Sequence, residues 1–187
     1  MGYFDERKNV DAYIKMAEGY DGRNLIAILQ KHLVPGSTVL ELGMGPGIDL
    51  DLLAQTYQVT GSDNSNVFLE LYREEHPTAD LLELDALNLK TTRKFDCIYS
   101  NKVLHHLRKE DMYRSFSRQK AVLHNGGLLM HSFWFGSKEE ALHGLHFAYY
   151  TEEELLKIIG PGFKVVAMER YQEMEADDSF YLLLRKQ

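Results

Sequence analysis

Cysteine is nearly absent from this chain: 187 residues hold one, Cys97, inside an apolar run. A single thiol closes no internal disulfide, so the fold has to stand on its core, and a reduced, cytoplasmic setting is expected. Long apolar runs are missing as well. Nothing approaches the roughly 20 apolar residues of a membrane crossing, and the first residues carry no basic-then-apolar leader pattern, so no membrane partner is expected. An excess of positive charge is also lacking: 21 Lys and Arg stand against 28 Asp and Glu, a formal net charge of −7. The pairs Arg7-Lys8, Arg93-Lys94 and Arg108-Lys109 are isolated. This argues against nucleic acid held by phosphate neutralisation. His143 and His146 stand three apart, but no third ligand at metal-binding spacing joins them, so no metal is expected. Prolines are few (four), and with the glycines they punctuate periodic segments rather than forming a linker.

What is present is an alternation of strand and helix patterns along a chain long enough for one domain. Strands are expected near 37–42, 58–62, 80–84, 95–100 and 128–133. Helical stripes fall between them: Leu25, Ile28 and Leu29 in a helix over 23–33, then Leu50, Leu53 and Ala54, then Val67, Phe68, Leu71 and Tyr72, then Met112 and Phe116. Such alternation implies right-handed crossovers and a mainly parallel sheet. Thr151 with Glu154 three residues on forms a capping box for a helix ending at Gly160-Pro161. The tail changes character. Residues 163–169 and 180–185 read as strands with no helix between, an antiparallel terminal pair. The expected fold is α/β, a Rossmann-like three-layer sandwich with a seven-stranded, mainly parallel sheet.

The densest information lies in VLELGMGPGIDLDLLA, residues 39–54. An apolar strand breaks into Gly43, Gly45 and Gly47 and resumes as an amphipathic helix. Glycines there let backbone approach a ligand at a helix start, whose first N–H groups lack partners, and an adenine-bearing cofactor is the usual occupant. A dinucleotide fingerprint places its third glycine three residues after the second. Ile48 occupies that position here, which counts against an NAD-dependent oxidoreductase.

Other positions test the same idea. The second strand should end at Asp63, whose carboxylate has capacity for both ribose hydroxyls; Asp63, Asn64 and Ser65 are equally good helix caps. The third strand ends at Asp85-Ala86, where a carboxylate could accept the adenine amine and the Ala86 N–H could reach a ring nitrogen. Glu41, at the first strand end, could order water or an ammonium beneath the glycines, or cap local N–H groups.

The Glu41-led G-x-G-x-G run resembles the first motif of class I S-adenosylmethionine-dependent methyltransferases. FDCIYSNKVLHHL (residues 95–107) resembles the fourth-strand motif of the small-molecule members, and NGGLLMHSF resembles their glycine-led fifth strand. The ordered set spans about residues 20–185. The resemblance implies one methyltransferase domain over 1–187, with a helical lid over 1–34 and the α/β core over 35–187. It implies S-adenosyl-L-methionine held by Glu41, Gly43, Met44, Gly45, Gly47, Asp63, Asn64, Asp85, Ala86, Ser100 and Asn101. Asn64 departs from the apolar residue more usual against the adenine. The resemblance brings His105 and His106 near the acceptor, as candidate bases or as structural rings. It leaves Tyr13, Tyr20, Trp134, His143, His146, Tyr149 and Tyr150 as candidate pocket walls, or as packing for a helix carrying His143. The expected activity is in-line methyl transfer to a small, uncharged or cationic molecule. A cofactor-binding protein without turnover would keep the same binding residues.

Overall fold

The computed structural model describes residues 2–142 and 144–187, so His143 lies outside the described residues. After a 3-10 turn at Tyr3–Asp5, the chain forms α1 (Arg7–Met16), α2 (Arg23–Leu29), β1 (Thr38–Leu42), α3 (Ile48–Ala54), β2 (Gln58–Asp63), α4 (Asn66–Glu75) and β3 (Leu81–Glu83). It continues through β4 (Phe95–Asn101), a 3-10 turn at Leu104–His106, α5 (Lys109–Val122) and β5 (Leu123–Trp134). The short β6 (Glu139–Leu142) and β7 (Leu145–Ala148) precede α6 (Glu152–Ile159), β8 (Phe163–Tyr171) and β9 (Ser179–Lys186).

Seven strands form one sheet in the order β3-β2-β1-β4-β5-β9-β8. The first five run parallel, and β9 is antiparallel to β5 and β8. The chain moves outward from β1 to β3, then crosses back to lay β4 on the other side of β1. That reversal opens a crevice at the carboxyl ends of β1 and β4, the ligand position in open α/β sheets. Glu41 pairs with Tyr99 across this seam.

Strand alternation sends successive side chains to opposite faces. Leu40, Leu42, Ile98, Leu129 and Leu182 pack on one face against Met112 and Phe116 of α5 and Leu155 and Ile159 of α6. Val39, Cys97, Tyr99, Met130 and Leu183 pack on the other against Leu25, Ile26 and Leu29 of α2 and Leu53 of α3. Two buried faces explain why these strands read as continuous apolar runs. Thr151 caps α6 as its sequence suggests, its Oγ accepting from the Glu154 N–H at 3.2 Å.

Three elements differ from the sequence expectation. The helix from residue 23 stops at Leu29 and continues as turns. β5 begins at Leu123, directly after α5, with a register shift against β4 that absorbs the Asn125-Gly126-Gly127 segment. The segment expected as a helix around residue 143 is instead the β6–β7 hairpin, in which Leu142 pairs with Leu145. Gly144 therefore lies at a tight turn, a role that outweighs the weak helical spacing around it. Among the described residues no helix is long and apolar enough to cross a membrane.

Candidate active site

The turn between β1 and α3 is built on backbone conformations that side chains resist. Gly43, Gly45 and Gly47 take φ of 64°, 51° and 87°, the left-handed region that suits glycine. A Cβ on Gly47 would stand 2.3 Å from the Tyr72 ring, and one on Gly43 would stand 2.6 Å from Val103. The turn is tied to the end of β2. The Met44 N–H donates to the Ser62 carbonyl at 2.9 Å, and the Gly45 N–H donates to Asp63 Oδ2 at 3.0 Å.

Asp63 is 6% exposed and its second oxygen accepts from the Ser65 N–H at 2.9 Å. Burial pushes its carboxyl up, and these backbone donors oppose the shift. Above it, the Ser65 hydroxyl donates to the Phe4 carbonyl at 2.6 Å. The rings of Phe4, Tyr13 and Phe68 pack with centroids 5.3–5.8 Å apart. The N-terminal segment thus closes over the end of β2. Asn64, beside it, is exposed.

A cavity of about 680 Å³ opens at the β1–β4 crevice beneath α1. At one end lie Glu41, Gly43, Met44, Gly45 and Pro46; at the other lie Asn101, Lys102, Trp134, Glu173 and Met174, while Tyr13, Tyr20 and other residues of α1 and the following turn form the roof. Of the sequence-derived candidates, this cavity brings together Glu41, Gly43, Met44, Gly45, Asn101, Tyr13, Tyr20 and Trp134. Gly47, Asp63 and Asn64 stand just behind the turn rather than on the wall.

Two carboxylates on the wall are satisfied very differently. Asp49, in the first turn of α3, accepts from the Gly22 N–H at 2.6 Å, from the Tyr99 hydroxyl at 2.7 Å and from Asn101 Nδ2 at 3.2 Å. Asn101 Oδ1 in turn accepts from the Ser132 hydroxyl at 2.6 Å, and Ser132 Oγ accepts from the Lys102 N–H at 2.9 Å. One connected network therefore joins α2, α3, β4 and β5, and such networks stiffen what they connect. Glu41 is 3% exposed, yet its Oε2 has no hydrogen-bond partner. Burial, and then the nearby Asp49, Asp63 and Asp51, push its carboxyl well above the ordinary range. A buried acid among acids, with an unpartnered oxygen at a cavity wall, is a site made for a cation.

Lys102 follows Asn101 in a left-handed conformation, φ 54°. Its Nζ donates to the Phe133 carbonyl at 3.1 Å, lies 2.5 Å from Ser179 Oγ and sits 3.7 Å above the Trp134 ring. It bridges the ends of β4, β5 and β9 at the cavity floor.

Asp85 is exposed at the end of β3 and binds its own turn, accepting from the Leu87 N–H at 2.8 Å and from Asn88 Nδ2 at 2.7 Å. Ala86 is held from below. Its carbonyl accepts from Ser115 at 2.7 Å, Ser115 Oγ accepts from Gln119, Gln119 Oε1 meets His131 Nε2 at 2.7 Å, and His131 Nδ1 meets Ser100 Oγ at 2.8 Å. Ser100 is buried in this chain and does not line the cavity. Burial holds His131 neutral, its pKa pulled down to about 3. Gln119→Leu should orphan His131 Nε2, while the Ser115 hydroxyl keeps its bond to the Ala86 carbonyl, and destabilise the fold by about 1–3 kcal/mol, the cost of one unsatisfied buried group. The midpoint of urea unfolding checks this. A change below 1 kcal/mol would show that the chain is not a structural tie.

The paired histidines stand apart from the cavity. His105 is 2% exposed with both ring nitrogens unpartnered, and it stacks on Phe147 of β7 at 5.2 Å. His106 donates from Nδ1 to the His146 carbonyl at 2.8 Å. Burial lowers the pKa of both rings. The His146 ring lies 3.2 Å from Glu139, Tyr149 donates to Glu140 at 2.6 Å, and the fully buried Tyr150 packs on Phe133. The β6–β7 hairpin thus covers the histidines. Among the described residues no three metal-ligating side chains cluster.

Sequence reading missed Asp49, Lys102, Glu173 and Met174. Asp49 carried a faint signal, an acid in the first turn after the glycines. Lys102 showed itself only as a cation just after the expected end of the fourth strand. Glu173 and Met174 reach the cavity because the β8–β9 connection folds back to the sheet, which no local pattern reveals.

Comparison with known proteins agrees with this geometry. A family model described as a methyltransferase domain matches residues 39–127. A curated relative, an uncharacterised 37.1 kDa protein in transposon TN4556 of Streptomyces fradiae, is 28% identical over 138 residues. That match covers 70% of this chain but only 37% of the relative. The fold matches the Burkholderia thailandensis 1,6-didemethyltoxoflavin-N1-methyltransferase, solved with bound 1,6-didemethyltoxoflavin and S-adenosylhomocysteine, with a TM-score of 0.79. The identity is 22%, over 94% of this chain and 82% of that one. The N-methyltransferase NodS of Bradyrhizobium japonicum, also solved with S-adenosylhomocysteine, matches with a TM-score of 0.72 at 19% identity, over 91% and 90% of the two chains. Magnesium protoporphyrin IX methyltransferase of Synechocystis matches at 0.75 and 16%, over 99% and 96%.

Proposed function

We propose that this chain is a class I methyltransferase that moves a methyl group from S-adenosylmethionine to a small-molecule acceptor. The methyltransferase-domain match over residues 39–127 and the fold shared with methyltransferases solved with S-adenosylhomocysteine support this reading. The observation that carries this reading is the cavity of about 680 Å³, with the unpartnered Glu41 and the glycine turn at one end and Trp134, Lys102 and Met174 at the other. A pocket of this size suits a small ligand pair enclosed by side chains, and α1 roofs it as a lid. The bound cofactor supplies a methyl group on a sulfonium, already an excellent leaving group.

The chain's own part is binding and alignment. Glu41 faces the ammonium of the methionine end, directly or through water, and its charge is stabilised only when a cation arrives. The close backbone of the glycine turn, where no Cβ stands in the way, admits the carboxylate end. Asp63 serves the ribose and Asp85-Ala86 the adenine. For the adenosine to reach Asp63, Phe4 and Tyr13 move off the end of β2. The fixed network of Asp49, Asn101 and Ser132 sets the floor on which the acceptor is aligned. Alignment of this kind can supply about 7–11 kcal/mol of barrier reduction, so no covalent intermediate is needed.

Isothermal calorimetry on the full chain tests the reading. S-adenosylhomocysteine should bind in the micromolar range and NAD should not. Asp63→Asn, which keeps the shape of the β2 end, should weaken binding roughly 10–100-fold, the value of a hydrogen bond to a charged group. Undiminished binding by that variant, or tight NAD binding by the parent, would sink the proposal.

A further inference from the structure

The amine of Lys102 is placed as reactive amines are, not as surface lysines are. Its side chain is 14% exposed, at the cavity wall beside Trp134. Its backbone takes a left-handed φ of 54°, held there by the Lys102 N–H bond to Ser132. Left-handed conformation in a non-glycine residue persists where the surroundings impose it, and such sites concentrate at functional positions. Nothing in the cofactor-binding role described above calls for this lysine.

The polar frame around Nζ accommodates both protonation states. The Phe133 carbonyl accepts one N–H in either state. The Ser179 hydroxyl can accept from an ammonium or donate to a neutral amine, because a hydroxyl rotates to suit. The groups facing it from neighbouring elements are Glu173 at 4.0 Å and Asp178 from the β8–β9 connection, Tyr171 from β8 and His105 from the turn after β4. Both carboxylates favour the charged amine, but burial outweighs them and brings the Lys102 pKa down to about 7. Glu173 is partly exposed and offers a way out for a proton.

We propose that Lys102 is the proton acceptor for the methyl-accepting molecule, which is a flat, weakly acidic compound presenting an O–H or ring N–H beside Trp134. The inference rests on the methyltransferase reading. The neutral Nζ lone pair takes the proton as the O–H or N–H bond breaks. The electron pair left on oxygen or nitrogen forms the bond to the methyl carbon, and the carbon–sulfur pair returns to sulfur as a neutral thioether. The ammonium of Lys102 then loses its proton to solvent past Glu173. The acid-rich walls (Glu41, Asp49 and Glu173) disfavour an acceptor that is already anionic, so a base has work to do.

Trace acetylation of the full chain with acetic anhydride from pH 5 to 10, read lysine by lysine by mass spectrometry, tests the state of this amine. Lys102 should acetylate with a half-point near pH 7; at that pH its neutral fraction is roughly a thousandfold that of an ordinary lysine. A half-point near 10 with the other lysines, or no labelling at any pH, overturns the proposal. For any acceptor returned by a pooled screen of phenols and heteroaromatic N–H compounds, kcat/KM should rise through the same pH and fall about 10²–10⁴-fold in Lys102→Arg, which cannot give up its proton. An unchanged profile in that variant also overturns it. S-adenosylhomocysteine binding by the parent separates the two ideas. Binding with an ordinary Lys102 titration sinks the lysine role alone, whereas no binding sinks the methyltransferase reading.

Discussion

Glu41→Gln should raise the thermal midpoint of the ligand-free protein and remove most of its affinity for S-adenosylhomocysteine. Glu41 is buried at the end of β1, its Oε2 is unpartnered, and Asp49, Asp63 and Asp51 raise its pKa further. The folded pKa therefore lies above the unfolded one. For such an acid the folded state holds the proton more tightly, so its contribution is full below the ordinary value of 4.5 and is lost as pH rises through the folded pKa. Glutamine cannot ionise and its amide can donate toward the neighbouring carboxylates. The gain in midpoint over the parent should consequently grow between pH 5 and 8. At the upper end it should reach several degrees, at about 2–4 °C per kcal/mol for a chain of this size.

Binding moves the other way. A cationic ligand favours the charged carboxylate, so association at neutral pH should release protons. The calorimetric enthalpy should then depend on the ionisation enthalpy of the buffer, and that dependence should vanish in Glu41→Gln. Affinity should fall roughly 10–100-fold, the range for a hydrogen bond to a charged group. A variant with an unchanged midpoint and unchanged affinity would show that Glu41 is neither strained nor in contact with the ligand.

Asp49→Ala should be among the most damaging single changes in the chain. It removes the acceptor of the Gly22 N–H, the Tyr99 hydroxyl and Asn101 Nδ2 together. Tyr99 is fully buried, so its hydroxyl finds no water. At the low end of about 1–3 kcal/mol for each of these three groups, a loss of about 3–4 kcal/mol is expected in urea unfolding. Asn101 would also lose its anchor and the segment leading from α1 into α2 its tie to α3, so S-adenosylhomocysteine affinity should fall with stability. Asp49→Asn keeps one acceptor oxygen and should recover part of both. Gly22→Ala attacks the same node from the other side, because its Cβ would lie 2.1 Å from the Tyr99 hydroxyl and 2.3 Å from Asp49 Oδ2. If Asp49→Ala unfolds within 1 kcal/mol of the parent, the network does not hold the start of α2 to the core.

Features carried by local chemistry were legible without the structure. Apolar runs bounded by turn residues located the central strands, Gly43, Gly45 and Gly47 located the strand-to-helix turn, and Thr151 located the start of α6. Each depends on residues a few positions apart, acting through side-chain period, φ preference or a cap. The hairpin β6–β7 escaped because strands of four residues carry too little period to outweigh a helical reading.

The sequence by itself determined the sheet, the glycine turn and the positions of Glu41, Asp63 and Asp85 at strand ends. Only the tertiary structure decided what each of those ends faces. It covered Asp63 with Phe4 and Tyr13, turned Ser100 into a core chain with His131, and buried His105 and His106 under the hairpin. It drew Asp49, Lys102 and Glu173 to the cavity from segments up to 124 positions apart (49 to 173). Burial, partner geometry and shifted proton affinity belong to the packed arrangement of distant segments, and no short stretch of chain contains them.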